Sequence, residues 1–247
     1  MADIFLVSRK SFLTDFLLPI KKFNNNPDDY IPFEWDGENL VTLLPFENKV
    51  FMLSEHKVVK TKFDKEVGES FYIKKPARLC EIFKMLVDDI VALKTFPDRL
   101  THTSKNSKFV YRLIDPIIGK NSMISSLNVK RAKSMETIPY LKFDKDMVTK
   151  IRKFNSSFND PLTILSFLNI EKEVWIKFAL GNEEAQFNTH LKADEEFEEF
   201  RMGSTVLNYL ENLPVELMLE TNKQIMTWNV NKTETKITYI VTRKNHE

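Results

Sequence analysis

Few groups in this 247-residue chain have the types or the spacing to do chemistry. Four histidines, His56, His102, His190 and His246, lie far apart with no i, i+4 ligand spacing, so they are expected at surfaces or strand ends. Cys80 is the single cysteine; it sits beside Leu79 with no CxxC partner, which points to a buried structural thiol and excludes a disulfide framework. Gly119-Lys120-Asn121 lacks both the upstream glycine and the hydroxyl of a phosphate-binding loop. The run Asp194-Glu195-Glu196-Phe197-Glu198-Glu199-Phe200 concentrates carboxylates. With a metal it could serve a nucleic-acid-processing enzyme, but no histidine or second acidic cluster supports that use. A solvated stretch, packed down or offered to a partner by its two phenylalanines, is the simpler reading. No catalytic residue, metal or cofactor is expected.

What remains is cationic. Three segments with the 3.6-residue apolar period of a helix carry lysine and arginine largely off the apolar stripe. The first has a stripe of Phe12, Leu13, Phe16, Leu17, Ile20 and Phe23 and carries Arg9, Lys10, Lys21 and Lys22. The second has Leu79, Ile82, Phe83 and Leu86 flanked by Lys74, Lys75, Arg78 and Lys84. The third has Val148, Ile151 and Phe154 with Lys145, Lys150, Arg152 and Lys153. Ammonium and guanidinium groups displayed this way meet phosphates without reading bases. On any one helix a solvated face explains the pattern as well; its recurrence is what favours a surface for nucleic acid.

The elements that must position these cations repeat. Ile20-Lys21-Lys22-Phe23-Asn24 is answered 131 residues later by Ile151-Arg152-Lys153-Phe154-Asn155. Leu79, Ile82, Phe83 and Leu86 are answered 127 residues later by Val206, Tyr209, Leu210 and Leu213, although this fourth helix offers Ser204, Asn208, Glu211 and Asn212 in place of cations. Between the helices the alternation of strands takes over. Ile31–Trp35 and Leu40–Leu44 flank the hairpin signal Asp36-Gly37, and Val50–Leu53 and Val58–Phe63 follow. Ile90–Thr95, Leu100–Thr103 and Phe109–Ile114 close the first half. Leu162–Phe167, Val174–Leu180 and Ala185–His190, then Val215–Glu220, Ile225–Val230 and Ile237–Thr242, make up the second. Each half therefore reads as helix, antiparallel strands, helix, antiparallel strands, and the class is α+β. The stretch from Pro116 to Pro139 is serine-rich and basic with little period, and reads as a long connector.

Composition narrows the function further. The 36 basic and 35 acidic residues leave a net charge of +1, which excludes a protein that coats nucleic acid by bulk charge. The distribution is uneven: 27 basic and 21 acidic residues precede position 161, against 9 and 14 after it. Five glycines are too few for dinucleotide- or phosphate-cradling loops. The acidic start Met-Ala-Asp-Ile-Phe is no secretory leader, and the stretch Phe12 to Ile20, broken by Asp15 and Pro19, is too short to span a bilayer. A cytoplasmic protein without membrane contact is expected.

The chain resembles the DNA sliding clamps, and within them the T-even bacteriophage type with two clamp domains per chain. The resemblance rests on Ala77–Pro116, a helix leading through Asp88-Asp89-Ile90-Val91-Ala92-Leu93 to Ile114-Asp115-Pro116; on the connector that re-enters at Ile138-Pro139-Tyr140; and on Val206–Lys244, where a helix, Leu213-Pro214 and three strands close the chain. The weak fourth helix and the segment Asn24–Tyr30 depart from the pattern. The resemblance implies a duplicated clamp fold, with clamp domains at 1–116 and 140–247 and an interdomain connector at 117–139. It also implies a homotrimeric ring around duplex DNA, with Arg9, Lys10, Lys21, Lys22, Lys74, Lys75, Arg78, Lys84, Lys145, Lys150, Arg152 and Lys153 facing the pore. Subunits would join through strands around Phe109, Val110, Tyr111 and Leu113 on one side and Ala185, Phe187 and Thr189 on the other. The implied function is a non-enzymatic processivity factor that tethers a replicative DNA polymerase after placement by a clamp loader, in the cytoplasm of an infected bacterium. A polymerase peptide would enter a pocket beside the connector. The competing reading is a non-catalytic interaction or virion-assembly protein that uses the same duplicated α+β architecture.

Overall fold

The computed structural model describes residues 3–23, 30–46, 50–62, 70–114, 126–158, 160–193, 197–211 and 213–244. The chain divides into two compact units, one made of Met1–Phe46, Phe51–Met135 and Val230–Thr238, the other of Glu47–Val50, Glu136–Asn229 and Tyr239–Glu247.

Unit 1 begins with strand β1 (Asp3–Ser8) and then a helix, α1, built of Arg9–Ser11, a π-helical stretch Phe12–Leu17, and Leu18–Phe23. The widening has a local cause. Pro19 has no N–H, and in a regular α-helix its ring would strike the carbonyl four residues back; here the Leu18 N–H bonds instead to the Leu13 carbonyl, five residues back. Strands β2 (Tyr30–Trp35), β3 (Asn39–Phe46), β4 (Val50–Lys57), β5 (Val59–Lys62) and β6 (Ser70–Lys74) follow. The β2–β3 turn forms as its Asp-Gly signal requires: Gly37 takes φ 110°, and the Asp36 carboxylate accepts the N–H groups of Glu38 and Asn39. Helix α2 (Pro76–Met85) then leads to β7 (Ile90–Thr95), β8 (Arg99–Thr103), β9 (Lys108–Arg112) and helix α3 (Ser126–Lys133). One sheet runs β5-β1-β7-β8-β9; the other holds β4, β3, β2 and β6 in that order.

Aromatic rings lock these layers together. Phe12 of α1 lies 5.0 Å from Phe83 of α2, Phe16 lies 5.4 Å from Phe33 of β2, and Phe83 lies 6.1 Å from Phe109 of β9. All except Phe109 are at most 2% exposed. His56, 5.1 Å from Phe12, belongs to the same core, and His102 is also buried; each lies one residue from the end of its strand, β4 and β8, but neither is at the surface, while His246 falls outside the described residues. His56 keeps its ring polar by bonding Thr235 Oγ1 at 2.8 Å, and burial depresses its pKa to about 4. Cys80 is buried as expected, which pushes its thiol pKa up.

Unit 2 consists of β10 (Thr137–Phe143), helix α4 (Lys145–Phe158), β11 (Ile164–Ile170), β12 (Glu173–Leu180), β13 (Glu183–Lys192) and β14 (Phe200–Gly203). A 3₁₀ turn, Ser204–Tyr209, then precedes β15 (Val215–Glu220), β16 (Ile225–Asn231) and β17 (Thr235–Thr242), of which Val230–Thr238 count with unit 1. Its sheets are β13-β12-β11-β14 and the run β10-β15-β16-β17. Strand for strand this repeats unit 1: β10 stands for β1, β15 to β17 for β7 to β9, β11 to β13 for β2 to β4, and β14 for β6. Among the described residues only β5 has no counterpart.

The sequence reading needs four corrections. The expected fourth helix is a six-residue 3₁₀ turn, which buries Val206 and Tyr209 but leaves Leu213 50% exposed. Strands β1, β6 and β14 carry no hairpin or long alternation and were not expected. Helix α3 and the start of β10 lie in the stretch read as aperiodic connector, whose residues 116–125 fall outside the described residues. Lys74 and Lys75 are not on α2: Lys74 ends β6, and Lys75 precedes the helix with φ 62°.

Candidate nucleic-acid interface

The expected cations separate once they are placed. On α4, the positions Lys145, Thr149, Arg152, Lys153 and Ser156 follow i, i+4, i+7, i+8 and i+11, which is one face of an α-helix. Val148, Ile151 and Asn155 are buried on the other side. Lys145, Arg152 and Lys153 are all exposed. Lys150 is turned away from this face, with its ammonium 4.3 Å from the centre of the Phe187 ring.

Helix α2 is different. Its outward face carries Arg78, Glu81 and the 73%-exposed Met85, and Glu81 takes up Lys84 in an i, i+3 ion pair of 2.7 Å. That pair lowers the pKa of Glu81 and raises that of Lys84, as opposite charges in contact must. Lys74 has turned over the Tyr30 ring at 5.7 Å. On α1, Lys10 and Lys22 are exposed while Arg9 and Lys21 are half-buried. On α4, Lys145, Arg152 and Lys153 thus share one exposed face.

Beside it lies a groove of about 390 Å³, lined on α4 by Thr149, Arg152, Lys153 and Ser156 and on the 3₁₀ turn by Leu207 and Asn208. The turn is held to the helix by the Asn155 side-chain amide, which donates to Asn208 Oδ1 at 3.2 Å. Among the described residues no acid lines the groove.

The expected joining strands are both sheet edges. Strand β9 ends the order β5-β1-β7-β8-β9, and β13 ends β13-β12-β11-β14. Phe109, Tyr111, Phe187 and Thr189 point into the cores of their own units, and Tyr111 donates its hydroxyl to the Lys74 carbonyl. The exposed side chains are Lys108, the 57%-exposed Val110 and Arg112 on β9, and Glu183, Glu184, Gln186, His190 and Lys192 on β13. Ala185 and Leu113 are half-buried.

The acidic run is a structural feature where it is described. Glu198 pairs with Lys223 at 2.9 Å and Glu199 with Arg201 at 2.5 Å, while Phe197 stacks on Tyr140 at 5.1 Å and Phe200 is buried. Residues 194–196 lie outside the described residues. Among the described residues no three His, Cys, Asp or Glu side chains converge as a metal site would require, and no helix is long and apolar enough to cross a membrane.

Sequence reading missed Asn155 and Asn208 as groove-forming residues. Asn155 lies in the Ile-basic-Lys-Phe-Asn string itself, and a polar residue at a stripe position is the signal that could have found it.

No protein-family model and no curated protein matches this chain by sequence. Solved structures do match its fold. The beta clamp of Helicobacter pylori, solved with carprofen, superposes with a TM-score of 0.65 at 13% identity over 99% of this chain and 65% of its own. The DNA polymerase III beta subunit of Thermotoga maritima gives 0.66 at 12% over 99% and 65%. The PCNA of A. fulgidus, bound to the C-terminal region of FEN-1, gives 0.65 at 12% over the full length of both chains. This chain thus spans slightly under two thirds of those bacterial clamps and the whole of the archaeal one. With the same strand order repeated in its two units and structural likeness along its whole length, the chain has the α+β fold of the DNA sliding clamps.

Proposed function

We propose that this protein is a sliding clamp that encircles duplex DNA and holds a replicative polymerase on it, without catalysis of its own. The observation that carries the reading is the exposed face of α4 that gathers Lys145, Arg152 and Lys153 on a clamp fold. Such a face binds phosphates without sequence preference and lets the duplex move.

The strand order supports a head-to-tail ring. Strand β9 of unit 1 and strand β13 of unit 2 are both sheet edges. A second copy that lays its β13 beside β9 covers both edges, with Lys108 and Arg112 facing Glu183 and Glu184. With two clamp units per chain, six units close as a homotrimer of about 87 kDa, three times 29.1 kDa. The FEN-1 segment on the archaeal clamp supports peptide-bearing partners here too, a polymerase and a clamp loader, with the pocket beside the connector. The setting is the cytoplasm, and the two-unit chain fits a bacteriophage-infected bacterium.

Retention on DNA tests this. Loaded on a nicked circular duplex, the protein should remain bound through gel filtration and should be lost when the circle is linearised. Sedimentation should give the trimer mass. Equal retention on circular and linear DNA would overturn encirclement. A monomer with no affinity for duplex at any salt would favour the interaction-module reading.

A further inference from the structure

The walls of the groove between α4 and the 3₁₀ turn have the chemistry of an anion site. Arg152 and Lys153 enter it from adjacent positions, and neither has an ion-pair partner among the described residues. The Thr149 hydroxyl donates to the Lys145 carbonyl at 2.8 Å and the Ser156 hydroxyl to the Lys153 carbonyl at 2.7 Å. Both hydroxyl protons are thus directed into the helix, and the charged donors that face a ligand are the guanidinium and the ammonium. Asn155 is 8% exposed, and its amide spans to Asn208 and fixes the far wall.

Resting on the clamp reading above, we propose that this groove is a discrete seat for one phosphodiester of the DNA backbone, so that unit 2 grips the duplex at a defined point while unit 1 offers only diffuse charge. The guanidinium supplies paired N–H groups that match two phosphate oxygens, and the ammonium adds a point charge. A wall set by an amide pair does not have to be ordered on binding, which is where a seat differs from mobile surface lysines. The missing helical turns supply the room: where unit 1 has the ten-residue α2, unit 2 has six 3₁₀ residues.

The test separates shape from charge. Asn208→Leu fills the groove from an exposed position without changing charge, and Lys145→Gln removes a cation from the same helix face outside it. Binding of a mixed-sequence 16-base-pair duplex is measured by fluorescence anisotropy across a salt series. A seat predicts that Asn208→Leu weakens binding about fivefold or more, that Arg152→Gln lowers the salt slope by about 0.9, and that combining the two is less than additive. Lys145→Gln should cost less than Arg152→Gln. Wild-type affinity in Asn208→Leu, with equal losses for Arg152→Gln and Lys145→Gln, would overturn the seat and leave the clamp reading standing. No duplex binding by the wild type would overturn both. Thermal denaturation of each variant, matching the wild type, shows that the loss is not one of folding.

Discussion

The two units share one strand order but close their helical layers with opposite materials. In unit 1, α1 meets α2 through Phe12, Phe16 and Phe83, a ring cluster at most 2% exposed. In unit 2, α4 meets a 3₁₀ turn through the Asn155–Asn208 amide pair, with Phe154 and Phe158 turned instead onto Phe178 of β12. The surface charge follows the same division: α2 neutralises Lys84 with Glu81, whereas α4 leaves Lys145, Arg152 and Lys153 exposed on one face. A duplicated fold thus keeps its sheets, which fix the architecture, and lets the helix pairs diverge, one toward stability and one toward an open polar groove.

Breaking the aromatic closure should have the largest effect. Phe83→Ala removes a fully buried ring that contacts both Phe12 and Phe109, and should destabilise the protein by about 3–5 kcal/mol in urea unfolding. If the polar closure of unit 2 were equally important, Asn155→Ala would match that loss.

The same cluster holds a pH sensor. The His56 pKa falls from 6.5 to about 4 on burial, so the unfolded chain takes up a proton that the folded chain refuses. The stability contribution is full above pH 6.5 and is lost as pH falls toward 4, by up to about 3 kcal/mol. Urea midpoints at pH 7 and pH 5 check it: wild type should lose stability over this interval, and His56→Gln should show a flatter dependence.

Charge removal sharpens the contrast on the surface. The triple change Lys145→Gln, Arg152→Gln, Lys153→Gln should weaken duplex binding about tenfold to a hundredfold at low salt. Lys84→Gln, which removes a lysine already paired to Glu81, should leave it within about twofold. Equal losses from the two helices would erase the distinction drawn between the units.

The smallest effect is expected at the amide pair. Asn155→Ala should cost about 1–2 kcal/mol, since it removes a single neutral hydrogen bond and leaves Asn208 partly exposed to water. Differential scanning calorimetry resolves a change of that size.

Much of the fold was legible because alternation in a half-buried strand is written in the chain. Strands β7 and β15 lie at the residues their apolar periods mark, Ile90–Thr95 and Val215–Glu220, and Asp36-Gly37 makes the turn its φ demands. Strand β14, with four residues, is too short to show a period, and β6 is defined by its pairing with β2 over Tyr30↔Lys74 to Glu34↔Ser70. The 3₁₀ turn was illegible for a related reason. Val206, Tyr209 and Leu210 fit a helical stripe, and only packing of the turn against α4 decides how tightly it winds. Of the candidate site, the cations of α4 were readable as a helix face. That Lys84 is neutralised, that Lys150 lies over Phe187, and that Lys74 and Lys75 are off the helix were not.

Sequence by itself determined the duplication, the α+β class and the positions of the cationic stripes, because hydrophobic period and repeated spelling are local properties of the chain. It also determined the turn chemistry at Gly37. Tertiary structure alone decided which histidines are buried, which strands are edges and which lysines are free. Those outcomes depend on neighbours distant in sequence: Thr235 beside His56, 179 residues away, or β7 at the flank of β1. A charge is free or spent, and a groove open or filled, only once such partners are in place.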